Sequence, residues 1–152
     1  MKRIAMASIL TLCFAITCAL VARAEMAKEK WEKTITLPSG EVILDMSGEW
    51  DVLYEFYGEI SWVAPCSDIL MITQQGNTFS AVKQIGTIWK PKGTESIKGE
   101  LDKDGFKEVQ MYRGDMHGIF SWGPCKKWEI SENGNKIVFD DGDRFKATLT
   151  RR

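Results

Sequence analysis

The clearest pattern in the chain is an alternation of apolar and polar positions between residues 47 and 58. Four large apolar side chains occupy one phase and three carboxylates the other: Trp50, Val52, Tyr54 and Phe56 against Glu49, Asp51 and Glu55. A period of two is typical of a β-strand with one buried face. The pattern therefore predicts a half-buried strand with an aromatic inner face and an acidic outer face.

Shorter segments with the same alternation follow, separated by turns rich in Gly, Asn and Asp. Together with the opening stretch, 47–58, these segments predict about eight strands, the others being 67–75, 78–85, 96–102, 106–113, 125–131, 136–140 and 144–151. No helical period is long enough for a βαβ crossover. Because consecutive hairpins imply an up-and-down order, the expected fold is an all-β, antiparallel barrel. An inward Gly99 predicts either internal space or close approach of a second backbone.

The first 24 residues have the features of a secretory signal peptide. Lys2 and Arg3 precede an apolar stretch, and residues 22–24 form an Ala-x-Ala cleavage site. We expect the mature chain to begin at Glu25 and to be periplasmic or secreted. An uncleaved N-terminal anchor is the alternative, since the apolar stretch is close to the length that spans a bilayer. Neither Cys13 nor Cys18 follows the small residue typical of a lipidated cysteine.

The remaining 128 residues are enough for one domain, with an arm and small hairpin at 25–46 and the barrel at 47–152. They contain 17 basic and 21 acidic residues, a net charge of −4. This balance argues against a nucleic-acid-binding protein, which would have a basic surplus. Charged outward positions also argue against an outer-membrane barrel, whose lipid face is apolar. After signal cleavage we expect no integral membrane segment.

Two cysteines lie within the signal, and two remain in the exported part of the chain. Because exported domains fold under oxidising conditions, we expect a disulfide between Cys66 and Cys125. In an up-and-down barrel both would lie at one rim. A redox or metal-binding thiol pair is the alternative, but the Cys-x-x-Cys spacing is absent.

Gly48-Glu49-Trp50 at the start of the first barrel strand resembles the Gly-x-Trp signature of the lipocalins and the wider calycin superfamily. The resemblance covers residues 47–151, although the Thr-Asp-Tyr motif of the second lipocalin region is absent. It implies that an arginine of the last strand, Arg144 or Arg151, packs over Trp50. Avidins share the Gly-x-Trp start without their later tryptophan-rich motifs. A weaker resemblance, carried by residues 66–69, is to periplasmic inhibitors of proteases and lysozymes.

Nothing in the sequence requires an enzyme, a metal or a cofactor. His117 is the only histidine, so a second imidazole is unavailable to complete a site. The inward aromatic set either packs as a core or lines an apolar cavity. For the cavity we predict as ligand-binding residues Trp50, Tyr54, Phe56, Met71, Gln75, Met111 and Trp128. Residues of irregular segments are predicted instead to contact a partner: Trp62, Trp89, Asp115, His117 and Trp122.

Three functions are compatible with these patterns. The first is a lipocalin-like barrel that binds a small hydrophobic molecule in its interior, with a cavity bordered by Tyr54, Met71 and Met111. The second is an inhibitor or interaction module that inserts residues 115–122 or the N-terminal arm into an envelope or secreted protein. The third is a structural envelope protein without a small ligand.

Overall fold

The computed structural model describes residues 30–115 and 117–152, and it consists almost entirely of β-strands, loops and two short 3₁₀ turns. The signal peptide predicted at 1–24 lies outside these residues. The strands are β1 Thr34–Thr36, β2 Val42–Leu44, β3 Gly48–Phe56, β4 Cys66–Gln75, β5 Thr78–Lys83, β6 Glu95–Asp102, β7 Gly105–Gly114, β8 Phe120–Pro124, β9 Lys127–Ser131, β10 Lys136–Asp140 and β11 Phe145–Arg151. Within the described ranges, no helix is both long enough and apolar enough to cross a membrane.

Strands β3–β11 form one antiparallel sheet in the order β8-β7-β6-β5-β4-β3-β11-β10-β9. The last strand, β11, pairs with β3, the first strand of this sheet, and Leu149 lies opposite Val52. The predicted all-β antiparallel fold is therefore confirmed. The prediction missed β8, because a glycine and a proline at its end resemble a loop, although an edge strand tolerates both.

The sheet is curled, and its two edge strands, β8 and β9, are consecutive in the sequence. Only Cys125 and Lys126 separate β8 from β9. The Cys125 amide donates to the Val109 carbonyl on β7 at 2.8 Å, and the Lys126 amide donates to the Asp140 carbonyl on β10 at 2.9 Å. This link therefore makes backbone hydrogen bonds to both sides of the curled sheet.

The small hairpin predicted before the main sheet covers one end of it. β1 pairs with β2, and Ile43, Leu44 and Met46 are fully buried. The Met46 amide donates to Gln74 Oε1, while Gln74 Nε2 donates to the Leu44 carbonyl at 3.2 Å. Trp31 is also buried, and the Glu32 amide donates to the Asn133 carbonyl at 2.7 Å, so the described end of the arm is held against the sheet. We call this end the closed end.

Trp50 lies at the closed end, where its face is covered by an arginine of the last strand. The Arg151 guanidinium carbon lies 4.3 Å from the centroid of the Trp50 ring. Arg151 also donates to the Ser47 carbonyl at 3.0 Å, and the Trp50 indole donates to the Met46 carbonyl at 2.9 Å. Of the two arginines left open by the sequence, Arg151 is the one that packs over the tryptophan.

The two cysteines are free thiols, so the predicted disulfide is wrong. Cys66 begins β4, whereas Cys125 follows β8, with three strands between them in the sheet order. Four strand spacings of about 4.8 Å separate them along the sheet, while disulfide-bonded Cα atoms lie about 4.4–6.8 Å apart. The prediction failed because 120–124 is a strand rather than a loop, and it carries Cys125 away from the rim.

Candidate functional site

A cavity of about 500 Å³ opens at the end of the sheet opposite the hairpin. Three loops surround it: residues 57–65 after β3, residues 84–94 after β5, and the loop after β7 that includes Asp115 and His117. These connections lie at one end because consecutive antiparallel strands return to it. We call this space the mouth cavity.

The walls of the mouth cavity are mainly apolar. They include Tyr54, Phe56, Ile60, Val63, Phe120 and Phe145. Tyr54 packs edge-on against Phe145, with ring centroids 6.3 Å apart, and Phe56 lies 6.4 Å from the same ring. Large aromatic side chains around a concave space are typical of sites for small apolar molecules.

The rim of the mouth cavity exposes more apolar surface. Trp62 is 77% exposed and Trp89 is 70% exposed, and both border the cavity. Ile88 and Ile119 on the same loops are also exposed. Exposed large apolar residues concentrated at one end of a molecule indicate a surface that meets a ligand or a partner.

A buried ion pair forms part of the cavity wall. Lys83 Nζ lies 2.7 Å from Asp68 Oδ2, and both side chains are almost completely buried. The Asp68 carboxylate also accepts hydrogen bonds from the amides of Ile69 at 2.7 Å, Ile85 at 3.0 Å and Gly86 at 2.9 Å. Burial alone would raise the pKa of Asp68, but Lys83 and these amides lower it overall. The Asp68 carboxylate is therefore ionised at neutral pH.

A second ion pair joins β7 to the turn before β11. Arg113 Nη1 lies 2.7 Å from Asp141 Oδ2, and the Asp141 carboxylate is inaccessible to solvent. Its other oxygen accepts hydrogen bonds from the amides of Asp143, Arg144 and Phe145 at 2.8–3.0 Å. Burial would raise the pKa of Asp141, yet the amides and Arg113 lower it overall. Arg113, which lines the cavity, is thus neutralised by a fixed carboxylate.

Lys90 is the third cation at the cavity and differs from the other two. Its Nζ donates to the Tyr112 carbonyl and lies 5.4–5.7 Å from the ring centroids of Tyr112, Phe120 and Phe145. No carboxylate of residues 30–115 and 117–152 forms an ion pair with it. Burial, followed by the neighbouring Lys83 ammonium, lowers the pKa of Lys90 to about 8.

The lining of the cavity also contains a buried tyrosine hydroxyl, at Tyr54, and a thiol, at Cys66. The Tyr54 hydroxyl is within 3.1 Å of Ser96 Oγ, and burial raises the pKa of Tyr54. Burial also raises the pKa of the Cys66 thiol, so it is largely protonated at neutral pH. Among the described residues, no group of three potential metal ligands is close enough to hold an ion.

Of the seven predicted ligand-binding residues, the cavity brings together only Tyr54 and Phe56. Trp50 and Met111 are fully buried in the packed core, so the interior around them has no room for a ligand. Met71 lies on the outer face at 36% exposure, and Trp128 is 43% exposed and packs against Phe106. These positions correct the predicted cavity bordered by Tyr54, Met71 and Met111.

Gln75 lies on the outer face of the sheet, also contrary to the prediction. It borders a groove of about 590 Å³ over β4–β7, whose lining includes Thr73, Glu95, Glu100 and Glu108. The groove is larger than the mouth cavity, but it crosses the polar outer face and carries several carboxylates. The mouth cavity is therefore the stronger candidate site for an apolar molecule.

The residues predicted to contact a partner are divided between two places. Trp62, Trp89, Asp115 and His117 all border the mouth cavity. Asp115 accepts hydrogen bonds from the amides of His117 at 2.8 Å and Ile119 at 2.9 Å, which shapes that loop. Trp122 lies instead on β8, where it packs against Tyr112 and under Lys98 Nζ.

Sequence reasoning missed the charged residues of the cavity. Asp68, Lys83 and Arg113 occupy the inward phase of their strands. They share that face with the buried apolar residues two positions away, Leu70, Ala81 and Met111. A charged residue at an inward position is rare unless it is paired, and this signal was available in the sequence. Lys90 has no comparable signal because it lies in an irregular loop.

Comparisons with known proteins identify no relative. No protein-family model matches the chain, and neither the curated proteins nor the solved structures contain a significant match. The function must therefore be inferred from the geometry of the chain.

Proposed function

We propose that this chain is an exported, lipocalin-like barrel that binds a small hydrophobic molecule in the mouth cavity. The observation that carries the proposal is a single contrast between the two ends of the curled sheet. The closed end is filled by Ile43, Leu44 and Met46, whereas the mouth end holds about 500 Å³ between aromatic walls. A site of this size and lining suits a small apolar ligand.

Two features support the lipocalin-like architecture. If β8 and β9 are counted as one bent strand, the curled sheet corresponds to an eight-strand barrel, joined by hydrogen bonds on both sides of Cys125 and Lys126. The contact between Arg151 and Trp50 also matches the arrangement that the Gly-x-Trp resemblance implies. A packed closed end and an open mouth are consistent with a ligand that enters between the three loops.

Native mass spectrometry on chain purified without detergent from an exporting host tests this proposal. We expect a small-molecule adduct under native conditions that disappears when the chain is denatured. If only the bare mass is observed, 1-dodecanol is added as a neutral apolar probe. A chain that neither retains an adduct nor binds dodecanol would refute the proposal.

A pair of variants connects the adduct with the mouth cavity. Val63→Trp adds bulk to a residue of the cavity wall, whereas Leu53→Trp adds similar bulk on the outer face of β3, where the side chain is 40% exposed. We expect Val63→Trp to lose the adduct and Leu53→Trp to keep it. Equal retention by both variants would place the ligand elsewhere.

The exposed rim favours a second candidate, an inhibitor or interaction module whose mouth loops contact another protein. Trp62 and Trp89 are of the type that often dominates protein interfaces. The insertable segment would be shorter than residues 115–122, because 120–122 belong to β8. The same native spectra distinguish this candidate, since a stoichiometric protein partner adds far more mass than a small molecule. Loss of that partner in a Trp62→Ser/Trp89→Ser variant would support it.

A further inference from the structure

The mouth cavity has one positive charge that no carboxylate of the described part of the chain neutralises. Lys83 is paired with Asp68, and Arg113 is paired with Asp141. Asp115 is the only carboxylate among the described lining residues, and it is hydrogen-bonded to the amides of its own loop. Lys90 therefore supplies a cation that has no carboxylate partner among residues 30–115 and 117–152.

The loop that carries Lys90 holds its backbone in a defined position. The Thr87 amide donates to the Lys90 carbonyl at 2.7 Å, and the Lys90 amide donates to Thr87 Oγ1 at 3.0 Å. Gly86 and Pro91 form an isolated β-bridge that closes the same turn. The side chain is thus directed into the cavity from a fixed turn.

The ammonium of Lys90 has three N–H donors, and the structure accounts for one of them. That donor is used by the Tyr112 carbonyl, while the surrounding groups are mainly aromatic faces. A cation among apolar side chains is less well solvated than in water, and an anion at hydrogen-bond distance would offset that loss. The walls beyond it, including Phe56 and Ile60, suit an apolar body.

We propose that the mouth cavity binds an apolar molecule with a single anionic headgroup, and that Lys90 Nζ pairs with that headgroup. This inference rests on the proposed function, because it assigns the ligand class for the same cavity. A carboxylate at the end of a hydrocarbon chain has the required chemistry. One lysine provides a point charge, which suits a monoanion better than a group that needs bidentate recognition.

Matched probes test this inference on the processed chain. Dodecanoate and 1-dodecanol share the hydrocarbon chain and differ in headgroup charge, and their binding can be followed at pH 7 by calorimetry and by tryptophan fluorescence. We expect wild type to bind dodecanoate at least about tenfold more tightly than dodecanol, which corresponds to about 1.4 kcal/mol.

Variants of two lysines of the same loop separate charge from general effects. In Lys90→Gln the preference for dodecanoate should fall below about twofold, with dodecanol affinity nearly unchanged, and Lys90→Arg should restore part of it. Lys92→Gln removes an exposed cation two residues away and should keep the preference. Circular dichroism and thermal melting verify that each variant is folded.

The outcomes distinguish this inference from the proposed function. If wild type binds both probes with equal affinity, or if Lys90→Gln retains the preference, the assignment of an anionic headgroup to Lys90 is wrong while the apolar site stands. If neither probe binds, the proposed function fails and this inference fails with it.

Discussion

Lys90 should reduce the stability of the ligand-free protein at neutral pH. Burial and the nearby Lys83 lower the pKa of Lys90 from 10.5 to about 8, so folding disfavours the ammonium form. That difference corresponds to about 3 kcal/mol. Partial solvent access and the loss of the hydrogen bond to the Tyr112 carbonyl reduce the gain from removing the charge. We expect Lys90→Met to stabilise the chain by about 1–3 kcal/mol at pH 7.

The stabilisation by Lys90→Met should depend on pH, whereas a change in packing alone would not. Between pH 8 and 10.5 the unfolded chain holds more protons on Lys90 than the folded chain, so the contribution of Lys90 to stability becomes more favourable as pH rises. The difference between Lys90→Met and wild type should be largest below pH 8 and should decrease towards pH 10.5. Burial also raises the pKa of Cys66 and Tyr54, but both groups are present in both proteins.

Urea denaturation followed by tryptophan fluorescence, at several pH values from 7 to 10, measures this difference. Lys92→Met is the matched control, because Lys92 is exposed on the same loop, and it should change stability by less than about 0.5 kcal/mol. Other ionisable groups also border the cavity: Cys66, Lys83, Arg113, Asp115 and His117. Because wild type and variant both contain them, their contributions to the pH dependence of stability cancel in the difference between the two proteins. A destabilised Lys90→Met protein, or a difference independent of pH, would refute the reasoning.

Four further substitutions test the packing of the sheet and of its two ends. Asp68→Ala should lower the free energy of unfolding by about 3–5 kcal/mol, because it removes the carboxylate that pairs with the buried Lys83 ammonium. Lys83→Met should lower it less, because Asp68 keeps three amide donors. Equal losses for the two variants in urea denaturation would contradict this reasoning. Arg151→Lys should lower the free energy of unfolding by about 1–2 kcal/mol, because lysine lacks the planar group that covers Trp50. The affinity for dodecanol should not change in this variant. Gly99→Ala should lower the unfolding free energy by more than about 2 kcal/mol, since the new Cβ would lie 2.2 Å from the Glu108 carbonyl oxygen, and a neutral effect would contradict that close approach.

The strands that the sequence predicted best are those with one unambiguous apolar face. In β3, apolar Trp50, Val52 and Tyr54 alternate with charged or exposed residues, so both the strand and its inner face were predictable. In β4 four consecutive apolar residues, 69–72, leave the two faces indistinguishable. The assignment of Met71 to the interior failed for this reason, although the strand itself was predicted.

Because β8 was not predicted, a contact that depends on this strand was missed as well. Gly123 resembles a loop glycine, but a Cβ there would lie 2.4 Å from Arg113 Nε, so the glycine makes room for the side chain that reaches Asp141. That contact joins residues far apart in the sequence, and no local pattern indicates it. The same limit applies to Lys90, whose environment is assembled from β7, β8 and β11.

The charged groups at the two ends of the sheet differ in whether the fold supplies them with partners, and this difference links stability to the proposed function. At the closed end the Arg151 guanidinium is covered by Trp50 and bonded to backbone carbonyls, so its charge is used within the fold. At the mouth, Lys83 and Arg113 have buried carboxylates, but Lys90 does not. Residues that reduce stability where a cavity opens are characteristic of binding sites, because the bound molecule supplies the missing interaction. If the mouth were only a structural end, an apolar residue at position 90 would pack against Phe120 and Phe145 at lower free-energy cost. A cation that has no carboxylate partner among the described residues therefore supports the proposal that this cavity takes an anionic ligand.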